Sequence, residues 1–252
     1  MIMWQGIADA GYTVPAGHGL DDLVAGLSRA LADPDPEVRD GAAYAVLAAW
    51  IDRGVIDAPR RRALGDEMAA RFGHPEVQAR TFAPLVLRML VRKGEFAAGW
   101  VDAFAHWYVT EDDLRGWDER LGWLHAAAHG ADLLGAFGQR PEVAPGRMPA
   151  LAADRLLAPT DHVFDQLEDD RLARGLALAL DRRDAGEGDA TDWLLPLEAA
   201  LRGVARGPAP AWVSNTLRTL RALYVLVDRG DLPHRRLLRV RLGEVLAAFD
   251  AR

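Results

Sequence analysis

The sequence contains no cysteine and only two serines, Ser28 and Ser214. The lack of cysteine excludes disulfide bonds, thiolate zinc sites and cysteine nucleophiles. With so few serines, and no Gly-x-Ser-x-Gly turn in the chain, covalent catalysis by serine is not expected. Glycine-rich phosphate-binding loops and EF-hand loops are missing as well. No familiar nucleotide or calcium motif therefore assigns a function.

Long apolar runs and a surplus of positive charge are also missing. No uninterrupted apolar stretch of about 18 residues occurs, so we expect no membrane span. We find no signal peptide and expect a cytoplasmic protein. The formal net charge of −7 argues against nucleic-acid binding, which needs excess Lys and Arg. We interpret the arginine-rich stretch 234–241 as the outer face of the last helix.

Strand signals are weak throughout the chain, and helical spacing of apolar residues dominates it. We therefore predict an all-α fold. With 252 residues, of which 50% are apolar, the chain is long enough to bury a substantial core. We predict a single domain over residues 1–252. Residues 1–19 are its irregular N-terminal segment, a short helix followed by a loop.

Two segments resemble each other at a distance of about 40 residues, the period of HEAT-like repeats. Each has a proline-containing turn, then an inward-pointing valine and an arginine near the start of a helix, in residues 31–47 and 73–83. Helix pairs of this kind bury their apolar faces by stacking on their neighbours. The pattern predicts an α-solenoid of HEAT-like antiparallel helix pairs with a concave groove.

The richest chemistry lies in residues 118–132. Read as a helix, this stretch places His125, His129 and Asp132 on one stripe, because residues three and four apart are neighbours. The three residues are candidate ligands for a divalent metal. Alternatively, one histidine is a general acid or base, or both histidines only hydrogen-bond to neighbouring helices. The zinc-protease pattern is excluded, since Ala126 stands where that pattern has glutamate.

A second polar cluster spans residues 161–171. We expect Glu168, Asp169 and Asp170 to open a helix, where acidic side chains complement the helix dipole. The functional alternative is that Glu168, Asp170 or Arg171 faces the histidine stripe. The acids would then orient imidazoles or bind a cation, and Arg171 would bind a carboxylate or phosphate. On the late helix, Asn215 and Arg218 begin a polar stripe that either closes the groove or is structural.

Aromatic residues are dense around the histidines, and such clusters usually build core. We expect Trp123 in the core and Trp117, at a helix start, partly exposed. Gly122 predicts a close approach by a neighbouring group or a ligand, because a glycine inside a helix is otherwise unfavourable.

Several of these segments together resemble an uncharacterised bacterial family, the domain of unknown function 2785. The segments are Val38-Arg39-Asp40 with Tyr44 and Trp50-Ile51, Arg80-Thr81-Phe82, Glu111 with Asp113-Leu114-Arg115-Gly116, residues 122–132, and Glu168-Asp169-Asp170-Arg171-Leu172. Residues 122–132 are the most specific of them. The resemblance covers most of the chain and implies an all-helical, HEAT-like fold. It implies no activity, substrate or cofactor.

The leading hypothesis is therefore binding. A small-molecule or peptide ligand would lie in a groove lined by His125, His129 and Asp132, with Glu168, Arg171 and Trp117 beside them. One alternative is an enzyme that uses the same residues as acid, base or metal ligands. Another is a protein-interaction scaffold with a long, flat groove.

Overall fold

The structure is a computed structural model that describes residues 4–250. Within them it has thirteen α-helices, one π-helix and one two-stranded sheet, so the predicted all-α class is confirmed. The α-helices are α1 (Trp4–Asp9), α2 (Leu20–Ala30), α3 (Ala45–Asp52), α4 (Ala58–Arg71), α5 (Val77–Arg92), α6 (Ala98–Thr110), α7 (Ala126–Gly138), α8 (Arg147–Leu157), α9 (Glu168–Leu180), α10 (Glu187–Thr191), α11 (Leu194–Arg202), α12 (Ala211–Arg229) and α13 (Arg235–Asp250). The π-helix (Glu37–Tyr44) continues into α3, and strands β1 (Trp117–Asp118) and β2 (Gly122–Trp123) precede α7. No helix within the described range is long and apolar enough to cross a membrane.

The N-terminal segment has the predicted short helix followed by a loop. Helix α1 ends at Asp9, and α2 begins only at Leu20. Gly11 and Gly17 take positive φ angles of 68° and 80° in the loop between them, a conformation that costs glycine little. The first part of the predicted segment, residues 1–3, lies outside the described residues.

Contacts between Cα atoms group the chain into two compact units. The first unit holds the chain up to Trp107 together with Trp117–Ala126, and the second holds Tyr108–Gly116 and the chain from Ala127 onward. The single domain over residues 1–252 stays a prediction.

Large aromatic side chains fill the core of the first unit. Trp50, Trp100 and Phe104 are among its largest fully buried side chains. Trp100 lies so close to Gly65 that an added Cβ would stand 2.2 Å from the indole ring. Its indole N–H donates to a carboxylate oxygen of Asp66 over 2.7 Å. This aromatic core therefore requires a glycine at one position of α4.

Small residues bring α7 and α9 close together in the second unit. A Cβ added to Gly175 would lie 2.3 Å from the carbonyl oxygen of Ala131, and one added to Gly135 would lie 3.2 Å from the Cα of Gly175. Helix α9 also packs extensively on α12. The close approach of α7 and α9 sets the distance between the polar side chains that these helices carry.

The two segments predicted as repeats begin in the same local way. Arg39 donates to the carbonyl oxygen of Asp33 over 3.0 Å. Arg80 donates to the carbonyl oxygen of His74 over 2.9 Å. Each arginine thus binds the carbonyl six residues before it and closes the turn that precedes its own helix.

The prediction of one helix over residues 118–132 is wrong for its first half. Residues 117–123 form an antiparallel hairpin in which Trp117 is paired with Trp123 and Asp118 with Gly122. Asp118 accepts hydrogen bonds from the backbone N–H groups of Arg120 and Leu121, both over 2.9 Å. Gly122 takes a φ of 71°, which suits a short hairpin loop that ends in a left-handed residue.

His125 consequently precedes helix α7 and does not lie on it. Its φ is 51°, in the left-handed region, and α7 begins at the next residue. The periodicity was misleading because an Asp side chain that caps a turn and a glycine with positive φ override helical spacing. Only His129 and Asp132 share the predicted helical face.

Two of three other local predictions agree with the structure. Helix α9 begins at Glu168, as the acidic run predicted. Trp117 is 48% exposed, as expected, but Trp123 is 42% exposed, so its placement in the core was wrong. The hairpin explains the difference, since paired residues at its open end carry their side chains on one face of the two strands.

Candidate functional site

The hairpin of the first unit carries an exposed aromatic cluster. The rings of Trp117 and Trp123 meet edge to face, with centroids 4.7 Å apart and planes at 75°. The imidazole of His125 stacks on Trp123, with centroids 4.5 Å apart and planes within 4°. We call these three residues the hairpin surface. The two tryptophans, each with nearly half of its area in solvent, together form an exposed apolar patch.

Arg39 holds the hairpin through hydrogen bonds to its backbone. Its side chain is fully buried, and its guanidinium donates to the carbonyl oxygen of Leu121 over 2.5 Å and to that of Trp123 over 3.4 Å. The same guanidinium lies 4.8 Å from the centroid of the Phe82 ring. Since turns on a surface are otherwise mobile, these bonds hold the aromatic rings on a defined frame.

The charge of Arg39 is balanced by its neighbour in the π-helix. The Nε atom of Arg39 lies 2.6 Å from a carboxylate oxygen of Asp40, although the two are not aligned as a hydrogen bond. Burial raises the pKa of the Asp40 carboxyl, and Arg39 acts in the opposite direction. The pair is therefore an ionic contact whose desolvation is costly.

Gly122 brings the hairpin against the turn before the π-helix. A Cβ on Gly122 would lie 2.9 Å from the Cβ of Pro36, so the close approach predicted for this glycine is found. Arg39 bonds the carbonyl of Asp33 in the same turn and that of Leu121 in the hairpin. The two turns are therefore joined on one guanidinium.

In the second unit, Asp132 and Arg171 form an ion pair between α7 and α9. The Nη2 of Arg171 lies 2.5 Å from one carboxylate oxygen, and Nε donates to the other over 3.2 Å. The side chains are 18% and 32% exposed, respectively. Arg171 thus lies opposite one residue of the predicted stripe, and the two charges satisfy each other.

Acidic residues at the start of α9 are engaged within the same unit. Glu168 is fully buried and accepts from the backbone N–H of Gln166 over 2.8 Å. Gly116 makes room for it, since a Cβ there would lie 2.3 Å from a Glu168 oxygen. Asp169 pairs with Arg218 of α12 over 2.6 Å. These contacts fix the first turn of α9.

The predicted polar stripe of α12 also has a structural role. Asn215 accepts from the backbone N–H of Phe164 over 2.8 Å and donates to the carbonyl of His162 over 2.9 Å. Arg218 donates to the carbonyl of Phe164 over 2.6 Å. Both side chains therefore tie the segment before α9 to α12, and nothing in these bonds points to a groove.

The candidate residues divide between the two units. Trp117 and His125 belong to the first unit, whereas His129, Asp132, Glu168 and Arg171 belong to the second. His129 is buried, at 6% exposure. Within residues 4–250, no group of three or more His, Asp or Glu side chains is arranged to hold a metal ion.

The chain was compared with known proteins. The family model described as "Protein of unknown function (DUF2785)" matches residues 70–225, more than half of the chain. The chain belongs to this family. The DUF2785 match includes the hairpin, α7 and α9, but not the π-helix that carries Arg39. No curated protein and no solved structure matches the chain.

The sequence did not reveal the structural roles of two buried arginines, Arg39 and Arg155. The sequence marks Arg39 as a repeat position and as part of the family resemblance, but not as a support of the hairpin. Arg155 was not singled out, yet it is buried and donates to the carbonyls of Tyr108 and Glu111 over 2.9 and 2.8 Å. Burial lowers the pKa of the Arg155 guanidinium. One feature of the sequence could have revealed Arg155: it stands among apolar residues on the inward face of α8.

Proposed function

We propose that this protein binds a small-molecule or peptide ligand and that the hairpin surface of Trp117, Trp123 and His125 is the contact surface. One observation carries the proposal, the exposure of two large aromatic side chains on a hairpin held by a buried arginine. Tryptophan is strongly enriched among residues that dominate binding energy. Its exposure on both strands of one hairpin is unusual for a side chain whose burial stabilises a fold.

The rigidity of the hairpin supports binding. Arg39 holds two of its carbonyl groups, and Asp118 accepts two of its backbone N–H groups. A surface that is already ordered loses less conformational entropy when a ligand binds. The ligand would therefore meet the rings in the arrangement that they have in the free protein.

The second unit gives less support to the enzyme alternative. A histidine that acts as a base is often oriented by a third group such as a carboxylate. Asp132 is instead neutralised by Arg171, and Asp169 by Arg218. These pairs are the ordinary outcome of packing polar helix faces, so we place the function on the hairpin surface.

We also propose that the helices of the first unit form HEAT-like pairs. The equivalent bonds made by Arg39 and Arg80 support this arrangement. Helix α4, the last of the first repeat, packs on α5, the first of the next, as stacked repeats require. An experimental structure tests it, because residues 33–71 should then superpose on residues 74–107 with the two arginines aligned. Different helix-crossing directions in the two segments would contradict the repeat.

A peptide selection tests the binding proposal. A random peptide library displayed on phage is selected on the wild-type chain, and the enriched peptides are measured against Trp117→Ala and Trp123→Ala. Loss of one anchor tryptophan should weaken binding at least about tenfold, the effect of roughly 1.4 kcal/mol. Circular dichroism verifies that the variants keep their helix content.

The matched control is Leu195→Ala, which removes an exposed apolar side chain (53% exposed) from the second unit. This variant should bind the selected peptides as the wild type does. Peptides that bind all the variants with equal affinity would show that the hairpin surface is not the site.

A further inference from the structure

The two turns that meet at Gly122 carry mostly acidic side chains. Asp118 and Glu119 lie in the hairpin turn, and the turn that contacts Gly122 through Pro36 contains Asp33, Asp35 and Glu37. Arg120 is the exposed cation of the hairpin turn. The charge of Arg39 is already balanced by Asp40.

The guanidinium of Arg39 links the two turns that contain these acids. Arg39 binds the carbonyl of Asp33 on one side and the carbonyl of Leu121 on the other. Asp35 and Glu37 follow in the first of these turns, and the backbone N–H of Glu37 donates to Asp35 over 2.9 Å. The side chain of Glu37 is exposed. Acidic side chains thus occur in both of the turns that Arg39 joins.

Aromatic rings and carboxylates attract the same kind of ligand. The face of an indole ring carries negative electrostatic potential, and tryptophan is the best aromatic partner for a cation. Neighbouring carboxylates add to this potential and repel anions. A guanidinium group fits best, because its planar form stacks on a ring while its N–H groups reach carboxylates.

We propose that the hairpin surface recognises a basic peptide segment, with arginine side chains laid on Trp117 or Trp123 and paired with the carboxylates of the two turns. This inference rests on the proposed function, since it names the ligand class for the same surface. The charge of the two turns favours a basic ligand. Their carboxylates repel acidic peptides and nucleic acid, and an uncharged peptide gains no electrostatic attraction from them.

Matched peptides test the proposal. Three peptides of alternating glycine and a variable residue carry arginine, citrulline or glutamate at the variable positions. Citrulline keeps the shape and most N–H donors of arginine but has no charge. Binding is followed by tryptophan fluorescence and by calorimetry on the full chain.

The arginine peptide should bind about fivefold or more tighter than the citrulline peptide, the factor that corresponds to one cation–π contact of about 1 kcal/mol. The affinity should fall when ionic strength rises from about 0.05 to about 0.5 M, because exposed charges are screened. Glu119→Gln and Glu37→Gln should each weaken binding of the arginine peptide and leave the citrulline peptide unaffected. Asp112→Gln, at an exposed acid of the second unit, should change neither.

Two results would overturn the inference. Equal affinities for the arginine and citrulline peptides would show that the surface does not distinguish a charged from an uncharged ligand. Enrichment of acidic or uncharged peptides in the phage selection, with binding still lost in Trp117→Ala, would also reject a basic ligand while the proposed function stands. If instead no peptide depends on Trp117 or Trp123, the proposed function itself fails.

Discussion

The guanidinium of Arg39 donates to the carbonyl oxygen of Leu121, 82 residues further along the chain. This bond joins the π-helix to the hairpin. It converts a short two-stranded loop, which is marginally stable on its own, into a fixed support for two exposed tryptophans.

Replacing Arg39 with methionine should therefore destabilise the protein. The substitution leaves the carbonyl of Leu121 without its guanidinium donor and removes the ionic partner of Asp40. We expect a loss of about 2–4 kcal/mol in the free energy of unfolding, measured by urea denaturation. The control Arg120→Met changes an exposed arginine of the hairpin turn and should cost less than about 0.5 kcal/mol. Equal losses would show that Arg39 does not hold the hairpin.

Gly122 and Gly54 have nearly the same backbone conformation and differ in their surroundings. Their φ angles are 71° and 73°, but a Cβ on Gly54 meets nothing within 4 Å, whereas one on Gly122 would lie 2.9 Å from Pro36. Alanine at either position carries the left-handed strain of about 1–2 kcal/mol. Gly122→Ala should lose more than Gly54→Ala in thermal unfolding, because Pro36 must also move. A loss at Gly122 no larger than that at Gly54 would argue against the close contact.

The ion pair between Asp132 and Arg171 should appear as an energetic coupling. Asp132→Asn, Arg171→Met and the double variant form a cycle whose interaction energy we expect to be about 1 kcal/mol, because the pair is only partly exposed. Urea unfolding at low and high salt measures it. Additive effects would mean that the two side chains do not interact in solution.

Tyr108 should make the free energy of unfolding depend on pH in the alkaline range. Burial raises the pKa of its phenol above the ordinary value of 10.0, and the hydroxyl donates to the carbonyl of Ala127 over 2.9 Å. Above pH 10.0 the unfolded chain releases this proton while the folded chain keeps it. The raised pKa therefore contributes stability that is present below pH 10.0 and declines as the pH rises.

The thermal midpoint of the wild type should fall between pH 10 and 11, by the equivalent of up to about 1.4 kcal/mol per pH unit for one group. In Tyr108→Phe this part of the decline should be absent, although the variant is less stable at neutral pH. Tyr224→Phe, at a half-buried position of α12, should retain the decline of the wild type. Parallel curves for wild type and Tyr108→Phe would contradict the assignment.

The helical class was predictable because apolar spacing extends over most of the chain. The start of α9 at Glu168 was predictable because an acidic run complements a helix N-terminus. Both signals are local, so they require no knowledge of which segments meet in space.

The site was not predictable in its main feature. Residues 118–125 have helical spacing, but the capping carboxylate of Asp118 and the positive φ of Gly122 and His125 interrupt it. Gly122 could have been read as a turn residue instead of a helical one. The bond from Arg39 to Leu121 has no local signal at all, and this bond determines how the tryptophans are presented.

The most direct test of the hairpin surface is the indole N–H spectrum of the protein, recorded by ¹⁵N NMR during titration with the tightest peptide from the phage selection. The chain has eight tryptophans, and alanine variants identify the signals of Trp117 and Trp123. Those two signals should shift on binding, while the signals of Trp50 and Trp100, which are fully buried in the same unit, remain in place. Shifts confined to tryptophans other than Trp117 and Trp123 would contradict binding at the hairpin.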